Sequence, residues 1–145
     1  MIKGVKEIKG FTFADNRGTI SEYNGFKVKS ITHTVSLPNT LRGIHVQGWD
    51  KVVYVARGSV YTILYDDRKD SPTYKESEEF LMTGAYFIPK GVGNSYCVLQ
   101  DEPVHYFYFN AEDYDKKKTY TISYKKFKWP IKNPIVSKQD EKVAK

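Results

Sequence analysis

The apolar segments of this chain alternate with polar residues at a period of two. This pattern covers residues 26–37, 51–67, 78–89, 94–100, 104–109 and 119–129, and it is typical of β-strands that have one buried face. Turn-forming stretches such as "DNRG", "LPNT", "ARGS", "PKGVG" and "QDEP" separate these segments. Only the short charged stretch after Ser137 favours a helix. Many short strands at regular spacing predict an all-β antiparallel sandwich or barrel.

The chain has no internal repeat, no low-complexity linker and no boundary between domains. Its 145 residues, of which 40% are hydrophobic and 28% charged, are typical of one soluble globular domain, with residues 138–145 as a charged tail. The first residues, "MIKGVKEIKG", are too charged for a signal peptide, and no apolar run is long enough to span a membrane. The single Cys97 has no disulfide partner, so we expect a buried thiol in a cytoplasmic protein.

Positive charge is concentrated near the C-terminus. The formal net charge is +6, and ten of the 23 basic residues lie in the last 30 positions. A solvated surface is the favoured interpretation, and attraction of a phosphorylated small molecule is an alternative. Nucleic acid is disfavoured as a partner, because no zinc-finger spacing, RNP-type strand or helix-turn-helix pattern is present.

The stretch "LRGIHVQ", residues 41–47, places polar side chains in a strand. Regular alternation predicts that Leu41, His45 and Gln47 point to one face, and that Arg42, Ile44 and Val46 point to the other. A histidine and a glutamine on one face indicate either the wall of a polar cavity or a half-buried strand with an incidental histidine. The residues alone leave both interpretations open.

Several kinds of chemistry find no motif in the chain. The three histidines, His33, His45 and His105, are far apart in sequence and form no HxH pair, which disfavours a metal site. No glycine-rich phosphate loop or GxSxG nucleophile motif is present. Acid–base chemistry remains, with a histidine as base and Tyr106 or Tyr108 as a proton donor. We predict no metal and no other cofactor.

The chain resembles the dTDP-4-dehydrorhamnose 3,5-epimerase family over nearly its whole length. The resemblance is carried, in order, by "FADNRGTISEY", "LRGIHVQ", "KVVYVARGSVYTILYDDRKDSPTY", "FIPKGVGNSYCVL", "YFYFNAEDYD" and "WPIKNPIVSKQD". It implies a single cupin-type jelly-roll β-barrel that forms a homodimer. It also implies a cofactor-independent epimerase that inverts C3, C5 or both in a nucleotide-diphosphate-linked 4-keto sugar, for polysaccharide biosynthesis.

The resemblance also implies roles for individual residues. His45 matches the base, Asp140 the carboxylate that orients it, and Tyr108 the acid, with Tyr106 as the alternative acid. The remaining residues match or are expected to supply substrate contacts: Arg42 and Lys51 near the keto oxygen and phosphates, Arg17 and Glu22 across a dimer interface, and Gln47, Asn94 and Tyr114 in the cavity.

The sequence departs from the family pattern at one position that bears on activity. In "PKGVGNSY", Asn94 stands where the double epimerases commonly have a second histidine. Together with "WPIKNPI", this stretch is similar to a branch that acts on GDP-linked 4-keto heptoses. A non-catalytic module that binds nucleotide sugars and a ketoisomerase of 4-keto sugars are therefore alternatives to the epimerase.

Overall fold

A computed structural model describes residues 1–145. The ten β-strands are β1 Lys6–Ile8, β2 Phe11–Asp15, β3 Gly18–Glu22, β4 Ser30–Ser36, β5 Leu41–Gln47, β6 Lys51–Asp66, β7 Ser77–Ile88, β8 Val92–Cys97, β9 Val104–Asn110 and β10 Thr119–Thr121. Two short 3-10 helices cover Lys116–Lys118 and Tyr124–Lys126, and one α-helix, α1, covers Lys138–Val143. No helix is long and apolar enough to cross a membrane.

The long strands β6 and β7 contribute to two sheets. Residues 51–55 of β6 pair with β9 and with residues 84–88 of β7, so the first sheet has the order β4-β9-β6-β7-β1. Residues 61–66 of β6 pair with β8 and with the start of β7, so the second sheet has the order β7-β6-β8-β5-β10. The register of β6 shifts between Val55 and Val60, where the strand passes from one sheet to the other.

The hydrophobic core fills the space between the two sheets. Its 13 buried residues are Ile2, Val5, Val53, Val55, Val60, Leu64, Met82, Ile88, Val92, Tyr96, Val98, Val104 and Tyr106. A smaller cluster of Leu41, Cys97 and Tyr124 packs against partly buried residues of the C-terminal segment, including Trp129. Cys97 is fully buried, as predicted, and burial raises the pKa of its thiol to about 12.

The all-β jelly-roll architecture confirms the prediction from alternation, and α1 lies in the charged tail that favoured a helix. The prediction of a long strand over residues 119–129 was wrong, because only Thr119–Thr121 is a strand. The pairing with β5 ends after Ile122, since the next N–H of the β5 edge, that of Gly43, donates to Asp140 instead. The "ARGS" stretch does not reverse the chain; it forms the register shift inside β6. The strands β1, β2 and β3 were not predicted.

Candidate active site

A polar cavity of about 210 Å³ lies in the jelly roll, with walls from both sheets. Its lining consists of ten residues: Thr32, Thr34, Arg42, His45, Gln47, Lys51, Asn94, Tyr108, Asn110 and Tyr114. Strands β4 and β9 supply one wall, and β5 and β8 supply the other. The cavity therefore contains titratable side chains that face each other across the two sheets.

The histidine of the cavity is bound to a carboxylate. Nε2 of His45 lies 2.8 Å from Oδ1 of Asp140, and the other carboxylate oxygen accepts the Gly43 N–H at 3.2 Å. Burial raises the pKa of Asp140. The hydrogen bond and the charge of His45, together with the hydrogen bond from the Gly43 N–H, have a larger effect in the opposite direction, so the pKa of Asp140 lies below its usual value. An ionised carboxylate only accepts hydrogen bonds, so Nε2 of a neutral His45 carries the proton and Nδ1 has the free lone pair.

The C-terminal helix α1 brings Asp140 to this position. Ser137 is the N-cap residue, and its side-chain oxygen accepts the N–H of Asp140 at 3.1 Å. This short turn buries the Asp140 side chain to 2% exposure behind β5. The histidine and its carboxylate thus come from segments 95 positions apart in the sequence.

Strand β5 does not follow the regular alternation that predicted opposite faces for Arg42 and His45. Both side chains line the cavity, because the register of β5 against β8 shifts between them. Leu41 likewise does not share a face with His45, and packs in the small cluster with Cys97. The predicted faces of Leu41 and Arg42 were therefore wrong, whereas the polar cavity wall containing His45 and Gln47 is present.

The shift requires a glycine at its centre. Gly43 has a φ of +124°, in a region that side-chain-bearing residues rarely adopt. A Cβ atom there would lie 2.4 Å from Cβ of Ser95 and 2.8 Å from its Cα. Only glycine permits this approach of β5 to β8, which places Arg42 and His45 together.

The two candidate tyrosines differ in their access to the cavity. Tyr108 is partly exposed and lines the cavity. Burial, with the neighbouring phenols of Tyr96 and Tyr106, raises the pKa of Tyr108 well above its usual value. Tyr106 is fully buried, and its hydroxyl accepts a hydrogen bond from Asn94 at 3.2 Å. Of the two tyrosines, Tyr108 is the one that can contact a ligand in this cavity.

Two cationic side chains line the same cavity. Nζ of Lys51 donates to Oε1 of Gln47 at 2.8 Å and lies 5.9 Å from the centroid of the Tyr108 ring. Lys51 is almost completely buried, and its side-chain hydrogen-bond partner is a neutral amide rather than a carboxylate. Burial lowers its pKa to about 7. Arg42 donates from Nε to Oγ of Ser36 at 2.7 Å. An anion in the cavity would therefore meet positive charge.

The remaining predicted contacts divide into two groups. Gln47, Asn94 and Tyr114 line the cavity, and Tyr114 is the most open of them, at 69% exposure. Arg17 and Glu22 do not line it. They lie on the exposed β2–β3 hairpin, where Arg17 pairs with Asp15 and Glu22 accepts a hydrogen bond from Asn24.

Sequence reasoning missed three cavity residues, Thr32, Thr34 and Asn110. Thr32 and Thr34 stand two residues apart on β4, and they pair with Tyr108 and Tyr106 of β9, respectively. The available signal was the row of small polar residues at every second position of "SITHTVS". Away from the cavity, Nε2 of His33 lies 2.9 Å from Nδ1 of His105, and both side chains are exposed.

A jelly roll whose interior holds a carboxylate-bound histidine, a phenol and two cations is a cupin-type protein equipped for acid–base chemistry. A family model described as dTDP-4-dehydrorhamnose 3,5-epimerase matches residues 1–145. The chain belongs to this family of isomerases.

Known relatives support the assignment. The dTDP-4-dehydrorhamnose 3,5-epimerase of Shigella flexneri is 29% identical over 139 residues, which cover 86% of this chain and 76% of the relative. Among solved structures, the 4-keto-6-deoxy sugar epimerase NovW of Streptomyces spheroides has a TM-score of 0.88 and 25% identity, covering 97% of this chain and 81% of its own. The Bacillus anthracis dTDP-4-dehydrorhamnose 3,5-epimerase, solved with TDP and PPi bound, has a TM-score of 0.86 and 25% identity, covering 94% and 91%.

Proposed function

We propose that this protein epimerises a nucleotide-diphosphate-linked 4-keto sugar at C3, C5 or both, without a cofactor. The observation that carries the proposal is the His45–Asp140 pair, 2.8 Å apart, in a cavity that also contains Tyr108 and two cations. The names of the family and of the two structural relatives supply the substrate class. Because TDP was bound in the Bacillus anthracis protein, dTDP is the first nucleotide to test.

The chemistry begins with removal of a proton from carbon. A 4-keto group acidifies the hydrogens on C3 and C5. Nδ1 of His45 has the free lone pair that can accept one of them as a proton. The electron pair of the broken C–H bond moves onto the keto oxygen as an enolate. Arg42 and protonated Lys51 stabilise this negative charge in the cavity.

Inversion requires a proton donor on the opposite face of the sugar ring. Tyr108 is on β9 and His45 is on β5, which belong to different sheets. The high pKa of Tyr108 keeps its phenol protonated near neutral pH, so it can donate to the enolate carbon. Protonation from the wall opposite the base inverts that carbon.

The active unit we propose is a homodimer. Arg17 and Glu22 do not line the cavity of their own chain, and the β2–β3 hairpin that bears them pairs with no other strand. The same hairpin exposes Phe11, Phe13 and Ile20, an apolar surface suited to a second copy. Light scattering at micromolar concentration tests this, since a stable monomer with full activity would contradict it.

A binding module without turnover is the second candidate. It is favoured by Asn94, which stands in place of a family histidine and bonds to the buried Tyr106 hydroxyl. Proton NMR in D₂O distinguishes the two functions, with dTDP- and GDP-linked 4-keto sugars as substrates. Deuterium incorporation at C3 or C5, abolished by His45→Asn with the fold intact, is expected for an epimerase. Binding of the nucleotide sugar without any incorporation would instead identify a binding module.

A further inference from the structure

A chain of hydrogen bonds runs from the cavity into the protein interior. Nε of Arg42 donates to Oγ of Ser36 at 2.7 Å, and the Ser36 and Tyr96 hydroxyls are 2.9 Å apart. The Tyr96 hydroxyl is also 2.9 Å from that of Thr34, and the Thr34 hydroxyl donates to the backbone carbonyl of Tyr106 at 3.2 Å. This network thus contains four consecutive hydrogen bonds.

The two end groups of this hydrogen-bond network determine the direction of every bond in it. The Arg42 guanidinium only donates and the Tyr106 carbonyl only accepts. Each of the three hydroxyls between them has a single proton, so Ser36 donates to Tyr96, and Tyr96 donates to Thr34. Every link therefore has one donor and one acceptor, and the bond dipoles are aligned.

This network connects the two sheets behind the cavity. Arg42 and Tyr96 lie on β5 and β8 of the second sheet, whereas Ser36 and Thr34 lie on β4 of the first. Ser36 and Tyr96 are buried, at 1% and 0% exposure. Loss of either hydroxyl would leave a buried polar atom without its partner, which makes the arrangement costly to disturb.

We propose that Ser36 and Tyr96 are positioning residues that orient the Arg42 guanidinium towards the cavity and the phenol of Tyr108. With Nε bound to Ser36, the two terminal nitrogens of Arg42 have no hydrogen-bond partner within the chain and remain available. The positive charge of Arg42 acts to lower the pKa of Tyr108, against the effect of burial. The inference rests on the proposed epimerase function.

The role in the reaction is stabilisation of a phenolate. When Tyr108 protonates the substrate carbon, its O–H electron pair stays on oxygen and creates a negative charge. Arg42, held in place, stabilises that charge. The phenolate then regains a proton from water, and His45 releases to water the proton that it took from carbon, so the enzyme returns to its starting state.

The first test measures the position of Arg42 without any substrate. The chain has four arginines, so NMR resolves their Nε–H signals, and Arg42→Lys identifies the signal of Arg42. We expect its hydrogen exchange to be roughly tenfold faster in Ser36→Ala and in Tyr96→Phe, the scale of one net hydrogen bond. Unchanged protection in both folded variants would overturn the proposal.

The second test separates the two halves of the reaction. Ser36→Ala and Tyr96→Phe each break the hydrogen-bond network, and Ser36→Ala does so without removing the Tyr96 phenol that itself affects the pKa of Tyr108. In both variants we expect deuterium incorporation by His45 to persist while inversion falls roughly tenfold or more. The matched control is Thr62→Val, which removes another fully buried hydroxyl. Thr62 lies on β6 and pairs directly with Tyr96 of β8. That hydroxyl has no hydrogen-bond partner, so the control is expected to keep the wild-type ratio of inversion to incorporation.

The outcomes of the second test are distinct. An unchanged ratio of inversion to incorporation in Ser36→Ala, or an equal loss of both activities, would refute a role that acts through Tyr108. No incorporation by the wild-type protein would instead refute the proposed function, and the Arg42 exchange measurement would still decide the positioning role.

Discussion

Nε2 of His45 lies 2.8 Å from Oδ1 of Asp140, although 95 positions separate the two residues in the chain. The contact depends on the first turn of α1, where Ser137 accepts the N–H of Asp140. A six-residue helix at the C-terminal end therefore determines which nitrogen of the histidine faces the cavity.

The first prediction concerns this carboxylate. Asp140→Asn should lower the rate of deuterium incorporation by about 10²–10⁴-fold, because an amide can donate to Nε2 and favour the tautomer with the proton on Nδ1. The rate is measured by NMR in D₂O. Glu141→Gln is the control, since it removes the same charge from the next residue of α1, which is partly exposed. Equal rates in both variants would contradict the assignment.

The second prediction distinguishes the two tyrosines. Tyr108→Phe should retain deuterium incorporation and lose inversion, because Tyr108 lines the cavity. Tyr106→Phe should keep inversion and lose about 1 kcal/mol of stability, since its hydroxyl bonds to Asn94 in the interior. Product stereochemistry by NMR and thermal unfolding check the two effects. The reverse pattern would make Tyr106 the acid.

The third prediction concerns pH and Lys51. Burial lowers the pKa of Lys51 to about 7 in the folded protein, whereas the unfolded chain keeps this proton up to a pH of about 10.4. Between these two pKa values the folded state binds fewer protons than the unfolded state. The free energy of unfolding therefore rises with pH in this range, as the buried lysine becomes neutral. Lys51→Met should stabilise the protein by about 4 kcal/mol near pH 6, and this gain should shrink near pH 9.

Denaturant unfolding at the two pH values measures this change. Loss of turnover in the same variant would agree with a role for the cation at the enolate oxygen. A stability gain that grows with pH would contradict the titration of Lys51.

The fourth prediction concerns a carboxylate outside the cavity. Asp66 is fully buried and accepts hydrogen bonds from Arg68, Ser71 and Thr73. Burial raises the pKa of Asp66, but these bonds outweigh it and hold the pKa well below its usual range. The resulting stability is present above the ordinary aspartate pKa and is lost as the pH falls through the lower pKa of the folded state.

Asp66→Asn should therefore cost about 3 kcal/mol near neutral pH, because it leaves buried donors around a weaker acceptor. The difference from the wild type should decrease as the pH falls towards about 3. Thermal unfolding across this range measures it. A stability difference that does not change with pH would contradict the lowered pKa of Asp66.

The sequence predicted the strands from β4 to β9, because period-two alternation is a local property, but not β1 to β3. It did not predict the faces of β5, since the shift at Gly43 depends on the close approach of Ser95, a contact between distant segments. The juxtaposition of His45 and Asp140 was expected only from the family resemblance, because nothing local connects residues 95 positions apart. Thr32 and Thr34 were missed because polar side chains on a strand also occur on solvent-facing surfaces.

The "DDRKDSPT" motif supported the family resemblance strongly, yet the side chains of its network do not line the cavity. These side chains instead bond to one another at the end of β6 and in the loop that follows it: Asp66 accepts from Arg68, Ser71 and Thr73. A distinctive motif can thus report on how a loop is built rather than on catalysis.

The continuity of β6 and β7 has a mechanical consequence. Both strands run from one sheet into the other, across the register shift of β6, so the sheets that bear His45 and Tyr108 share two strands. We therefore expect the fold to determine the spacing between His45 and Tyr108 before a sugar binds. Discrimination among sugars would come from which ring fits between the walls, with little contribution from a closing movement.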